Sequence, residues 1–298
     1  MRPYRAPNIT ADVTTAVPPP QLIAAYFTLA GNVLPLAASM ASPLGLKERA
    51  QAAARAGYAG IGLHTDDLIR AVEQYGYSGI KALLDDSGLE YLEIEALLDW
   101  FVDGERRRES DAVRKVMLDA AEHLGAYQIK VAGDLFGGMW PVRTMADEFA
   151  VLSRQAADAG TNVVIEVLPF SNIRDLPTAV SVVGDAGKSN GGLLLDIWHL
   201  SRGGIAFDAI KTIPAEYIKH IEIDDADEAV VGSLLEDTVR NRRLPGEGSF
   251  DVRHFIRCVQ ATGYRGLYGV EVISDAQRAL PLDQAAQRSY QATIAQFG

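Results

Sequence analysis

The sequence predicts a single-domain α/β protein, a (β/α)8 TIM barrel preceded by an extended N-terminal arm. Three observations carry that prediction. Short β-rich runs alternate with Ala- and Leu-rich amphipathic stretches from residue 20 onward. One local grammar recurs, since ARAGYAGIGL, AEHLGAYQIKV and VQATGYRGLYGVEV each read as helix, Gly stop, short connector and strand. Eight strands are countable in 298 residues. Such alternation specifies parallel βαβ units, and eight of them match a closed barrel. An open dinucleotide-binding sheet would want G-x-G-x-x-G after its first strand. Here AGNVLPLAAS stands in that place.

The elements follow in order. Residues 1–19 run into three prolines and read as an extended arm outside the repeating pattern, with the barrel over 20–298. QLIAAYFTL (21–29) is the first strand, and LKERAQAAARAG (46–57) a helix closed by Gly57. YAGIGLH (58–64) is the second strand, followed by two helical pieces, DLIRAVEQYG and YSGIKALLDDSG, each ending in Gly. LEYLEIEAL (89–97) is the third, before a long helix over 106–125 stopped by Gly125. AYQIKVAG (126–133) is the fourth, and residues 143–160 are helical up to Gly160. NVVIEVLP (162–169) is the fifth, with a helix near 174–187. GGLLLDIWH (191–199) is the sixth, trailed by the short helix FDAIKTI. YIKHIEID (217–224) is the seventh, and the irregular segment 225–249 after it reads as a functional loop. A helix over 251–263, the eighth strand GLYGVEVI (266–273) and a helix over 281–296 complete the chain.

Composition narrows the function. The net charge of -11 and pI near 5.0 argue against a nucleic-acid partner, which needs a cationic face. No apolar run approaches the ~18 residues of a membrane span, so no membrane role is expected. The N-terminus has no apolar signal core, and the single Cys258 fits a reducing compartment; a cytoplasmic location is expected. The arm leaves packing on a neighbouring copy, and hence a homo-oligomer, open.

Barrel active sites form where strands end. Glu166 closes the fifth strand; Asp196 closes the hydrophobic run of the sixth, with Trp198 and His199 just beyond. The seventh carries His220, Glu222 and Asp224 on one face, and the eighth carries Glu271. Glu93 and Glu95 alternate on the third strand, Lys130 lies on the fourth and His64 ends the second. Carboxylates from four successive strands share one small volume, which requires protonation or a cation. A divalent metal resolves the conflict, and three acids with a fourth O or N ligand suit Mn²⁺, Mg²⁺ or Co²⁺. His199 tilts toward substrate contact by its position after Asp196, and Trp198 and Trp140 toward walling the pocket, while Trp100 reads as core. Substrate contact is also expected of His220, Lys130, His64 and Glu95, the last three dividing between that role and a structural one. His123 and His254 lie in helices and read as surface or packing residues. Arg242 and Arg243 precede a PGEG turn that would hold them at the barrel mouth.

The array IEVLPF, LLLDIWH, HIEIDD, RRLPGEGSFD and GYRGLYGVEV resembles the xylose isomerase-like barrels of the sugar phosphate isomerase/epimerase group, over about residues 20–297. The resemblance implies a metal set of Glu166, Asp196, Glu222 and Glu271, with Mn²⁺ the expected ion. It departs from the family at Glu222, where a His or Gln is usual; either Glu222 ligates or His220 takes that role, and Glu222 is favoured. The resemblance further implies substrate contacts by His199 and Arg242, and proton exchange through an enediolate by Glu166 and Glu271. The implied activity is a metal-dependent isomerase or epimerase on a sugar, keto-sugar or cyclitol. A lyase or dehydratase on a keto-sugar, inosose or related polyol shares the first half of that chemistry. The same superfamily holds DNA-repair endonucleases, but five histidines and an acidic chain do not suit a multi-metal site on a basic face.

Overall fold

The computed structural model describes residues 19–298. The expected arm over 1–19 lies almost wholly outside them. Eight parallel strands close into a barrel in the order β1-β10-β7-β6-β5-β4-β3-β2. They are β1 (Leu22–Ala24), β2 (Gly60–His64), β3 (Tyr91–Leu97), β4 (Gln128–Ala132), β5 (Asn162–Glu166), β6 (Gly191–Asp196), β7 (Ile218–Ile223) and β10 (Tyr268–Val270). Two short strands, β8 (Asp225–Ala226) and β9 (Arg242–Arg243), pair antiparallel in the segment between β7 and β10. No helix among the described residues is long and apolar enough to cross a membrane.

The helices pack apolar stripes on the outward faces of the strands; Phe149 and Leu152 of Val142–Asp158 are fully buried in this layer. Gly57 and Gly125 close their helices in the left-handed region, as the Gly stops predicted, and Gly187 does the same. The two helical pieces expected after β2 occupy Thr65–Ser87 and are divided at Gly76, whose backbone leaves the helix at φ 63° and ψ 166°.

Three expectations shift. The first strand stops at Ala24, and Tyr26–Leu29 form a helical turn in which Thr28 Oγ1 donates to Val270 O at 2.7 Å. An apolar run such as AAYFTL carries no periodicity that separates strand from helix. The sixth strand ends at Asp196, because its carboxylate accepts from the backbone N–H of Trp198 (2.6 Å) and His199 (3.1 Å) and so caps the helix Ile197–Arg202. The segment 225–249 holds β8, a helix over Leu234–Arg240 with a Ser233/Glu236 capping box, and β9.

The barrel interior departs from the usual branched apolar filling. Glu93, Gln128, Lys130, His220 and Glu222 are all buried there. Gly269 makes room for them, since a Cβ at that position would lie 2.7 Å from His220 Nε2 and 2.8 Å from Glu222 Cγ.

Candidate metal centre and substrate cavity

The strand ends bring four predicted acids together. One carboxylate oxygen from each of Glu166, Asp196, Glu222 and Glu271 lies within 4.8 Å of the others. Register explains the convergence. Asp196 pairs with Glu222 across β6 and β7, Glu222 with Gly269 across β7 and β10, and Glu271 follows directly on β10. Gly62 does the same service on the opposite wall. A Cβ there would sit 2.5 Å from Glu95 Oε1 and 2.6 Å from Tyr26 N, so glycine admits the hydrogen bond that Tyr26 N–H donates to Glu95 (2.8 Å).

Two buried cations meet these acids. Arg242 Nη1 donates to Asp196 Oδ2 at 2.7 Å, also contacts Asp224, and lies 3.2 Å from Glu271 Oε2. Lys130 Nζ contacts Glu222 and lies 2.8 Å from Glu93 and 3.5 Å from Glu95. His199 Nε2 sits 2.9 Å from Glu166 Oε1. Six acids, Glu93, Glu95, Asp196, Glu222, Asp224 and Glu271, thus surround Lys130 and Arg242, with Glu166 beside them on His199. Full ionisation would leave an excess of negative charge in a dry volume.

The electrostatics register that excess. Burial, then the Glu271 charge, pushes Glu222 well above the carboxylate range; burial likewise raises Glu271. Burial and the Asp196 charge raise Asp224. Asp196 goes the other way: burial opposes its ionisation, but Arg242 and His199 outweigh it. Burial pushes Glu95 up to about 8, against the pull of Lys130. Native Glu95 therefore keeps its proton where an unfolded carboxyl, at its ordinary 4.5, has lost it. Across that window the native state binds more protons, so stability falls as pH rises. Glu95→Gln keeps an acceptor for Tyr26 and removes the titration. The urea midpoint of the metal-free variant is expected to fall less steeply across the window than that of the wild type.

The donor set fits a hard divalent cation. Four convergent carboxylates are the ligand type such ions take. Glu222 Oε2 is buried with no hydrogen-bond partner among the described residues, and so is Asp224 Oδ1. Glu222 is part of the four-acid group, whereas His220 groups with Glu93 and Glu222 instead. His220 is fully buried and 3.3 Å from Glu93, and burial lowers its imidazole to about 4.

A cavity opens above the acids. His64, Glu95, Glu166, His199, Arg242 and Glu271 line it. His64 Nδ1 accepts from Asp66 N at 3.2 Å, and burial lowers its pKa. Three predicted substrate contacts are placed elsewhere. Lys130 and His220 lie deeper in the barrel, cut off by the acid layer, and neither lines the cavity. Trp198 is fully buried with the Arg242 guanidinium 5.5 Å from its ring centre, so it supports that arginine and walls no pocket. Arg243 is half-exposed and pairs with Asp227 at 2.7 Å. The cavity also has an apolar lip that the sequence reading missed. Phe27 follows β1, Met40 lies in the next loop, and Leu168 and Phe170 follow β5. The available signal was an apolar residue placed directly after a strand end.

A family model for the xylose isomerase-like TIM barrel matches residues 50–294. The chain belongs to the xylose isomerase-like TIM barrel family. Within it, the chain is 31% identical over 251 residues to the 3-dehydroshikimate dehydratase of Pseudomonas aeruginosa, covering 79% of this chain and 37% of that protein. The chain thus spans well under half the length of that relative. It is 23% identical over 154 residues to the inosose isomerase of Bacillus subtilis, covering 51% of this chain and 54% of the isomerase. Among solved structures of the same fold, the IOLI protein with a bound zinc atom aligns at TM-score 0.81 and 19% identity, covering 93% and 97% of the two chains. A D-psicose 3-epimerase with D-fructose aligns at TM-score 0.67 and 15% identity, covering 92% and 96%.

Proposed function

We propose that this family member is a divalent-metal-dependent isomerase or epimerase acting on a small keto-sugar or cyclitol. The observation that carries the reading is the convergence of Glu166, Asp196, Glu222 and Glu271, of which Glu166 and Glu271 also line a cavity. Those four would hold the ion, Mn²⁺ by preference. When bound, it supplies Lewis-acid polarisation of a carbonyl and its neighbouring hydroxyl.

The chain's own residues do the rest. Glu166 and Glu271 stand on strands separated by β6 and β7, and both line the cavity. One removes a proton from carbon next to the carbonyl, and the other delivers a proton to that carbon or its neighbour. His199 steadies Glu166 through the 2.9 Å contact, and Arg242 steadies Glu271. Phe27 and Phe170 exclude water from above.

A second outcome has its own support. An apolar lip suits a substrate with a poorly hydroxylated face or a leaving group, and one relative matched over 79% of this chain is a dehydratase. The same proton removal followed by loss of a β-substituent makes the enzyme a lyase. One experiment decides. Protein with Mn²⁺ is incubated in D₂O with a panel of ketoses, inososes, 3-keto glycosides and 3-dehydroshikimate, and products are followed by NMR and mass spectrometry. Deuterium uptake with no loss of water or leaving group is expected for the isomerase or epimerase. A new enone or a released group assigns the lyase, and absence of exchange with every compound overturns both.

A further inference from the structure

The outer layer carries a second donor set, well removed in chemistry from the acids of the barrel mouth. Helix Val252–Ala261 presents His254 and Cys258 four positions apart, hence on one face. Asp208, in the turn of 3-10 helix Phe207–Thr212 between β6 and β7, faces them. Cys258 Sγ lies 3.6 Å from His254 Nε2 and 3.8 Å from Asp208 Oδ1. His254 Nε2 lies 3.5 Å from Asp208 Oδ2. That last separation is long for an N–H···O hydrogen bond. Sγ is also 3.8 Å from His254 Nδ1, so the imidazole has to turn to aim Nε2 at an ion. The separations themselves are within a few tenths of an ångström of the ~3.4–3.6 Å edges of a tetrahedron built on Zn–S near 2.3 Å and Zn–N or Zn–O near 2.0–2.2 Å, with Asp208 offering one oxygen to the sulfur and the other to the imidazole.

We infer that Asp208, His254 and Cys258 form a second metal site, selective for zinc-class ions, with its fourth position open to water. The buried thiol and the half-buried imidazole make its inner wall, and Asp208, 65% exposed, stands at the entrance. The Phe207 ring lies beside the imidazole, its centre 6.1 Å from that of His254. Lys211 Nζ occupies Asp208 at 2.6 Å and is itself half-exposed, so it can withdraw when an ion arrives. Binding breaks the Sγ–H bond, releases that proton to water and forms a sulfur–metal bond, with no change of oxidation state. A thiolate and an imidazole prefer a softer ion than four carboxylates do, so the two sites separate Zn²⁺ from Mn²⁺ or Mg²⁺. The ion would tie together two outer-layer segments that β7 and the whole of 225–249 separate in sequence.

The test is a Co²⁺ titration of metal-stripped protein. The chain has one cysteine, so a near-ultraviolet thiolate-to-cobalt charge-transfer band reports this site alone. The band is expected in the wild type and in Asp196→Asn, and is expected to vanish in Cys258→Ser. In Asp208→Asn, whose exposed position keeps the fold intact, affinity is expected to fall by more than the about 10–100-fold that loss of an outer-shell partner costs. Zn²⁺ is also expected to raise the melting temperature of the wild type more than that of Asp208→Asn. No band in the wild type, a band surviving in Cys258→Ser, or unchanged Co²⁺ affinity in Asp208→Asn overturns the assignment.

Discussion

Glu271→Gln is expected to lower kcat by about 10²–10⁴-fold, the range that a positioned general acid or base contributes. The substitution keeps the shape of a side chain whose carboxylate sits 3.2 Å from Arg242 and faces the cavity. It removes the carboxylate that, on the proposed mechanism, would accept or return a proton. Because Glu271 also belongs to the four-acid cluster, Mn²⁺ affinity should fall too, and the two losses must be separated. Turnover measured at Mn²⁺ concentrations that saturate the variant isolates the proton-transfer term, and deuterium uptake by substrate should fall with it. Near wild-type turnover at saturating metal removes Glu271 from the chemistry.

Arg242→Met should give the largest loss of stability, about 3–5 kcal/mol, the usual cost of stripping one partner from a buried ionic cluster. Its guanidinium is buried and bonds Asp196, contacts Asp224, lies 3.2 Å from Glu271 and donates to Thr238 Oγ1 at 2.9 Å. Without it those acids face one another with no counter-charge beside them. Chemical denaturation of the metal-free variant measures the effect. Saturating Mn²⁺ should recover more stability in Arg242→Met than in the wild type, since the ion supplies part of the missing positive charge. Equal gains in both proteins would separate the arginine from the metal cluster energetically.

The barrel was legible because its signals are local and repeated. Helix, Gly stop and strand recur with little variation, and each stop examined above takes a left-handed backbone. The acids were legible because a carboxylate ending a run such as GGLLL has few structural uses. Depth along a strand was not legible. Alternation tells which side a residue faces, and it gives Lys130, His220 and Glu222 the same inward direction as the cavity-lining acids. It does not tell that Lys130 and His220 lie beneath the acid layer, because that depends on the stagger between strands. The register shift between Leu193 and Leu194 where β6 meets β7 is such a non-local term. Trp198 was misplaced for a related reason: once Asp196 caps a helix, Trp198 turns into the core while its neighbour His199 still faces the cavity. His254 stands half-exposed on its helix, as read; that Asp208 and Cys258 lie beside it was not legible, because they converge only after the outer layer is folded.

Asp225 is the pin of the segment that brings Arg242 home. Its carboxylate accepts from the backbone N–H groups of Gly246 (2.9 Å), Gly248 (3.0 Å) and Phe250 (2.9 Å), so the PGEG turn is staked to the end of β7. The arginine's supply line is therefore rigid before any ligand arrives, while the aromatic lip hangs on separate connections after β1 and β5. The machinery splits into a fixed anvil and an exchangeable collar. Changing Phe27 or Phe170 can retune which molecule is admitted while leaving the anvil undisturbed.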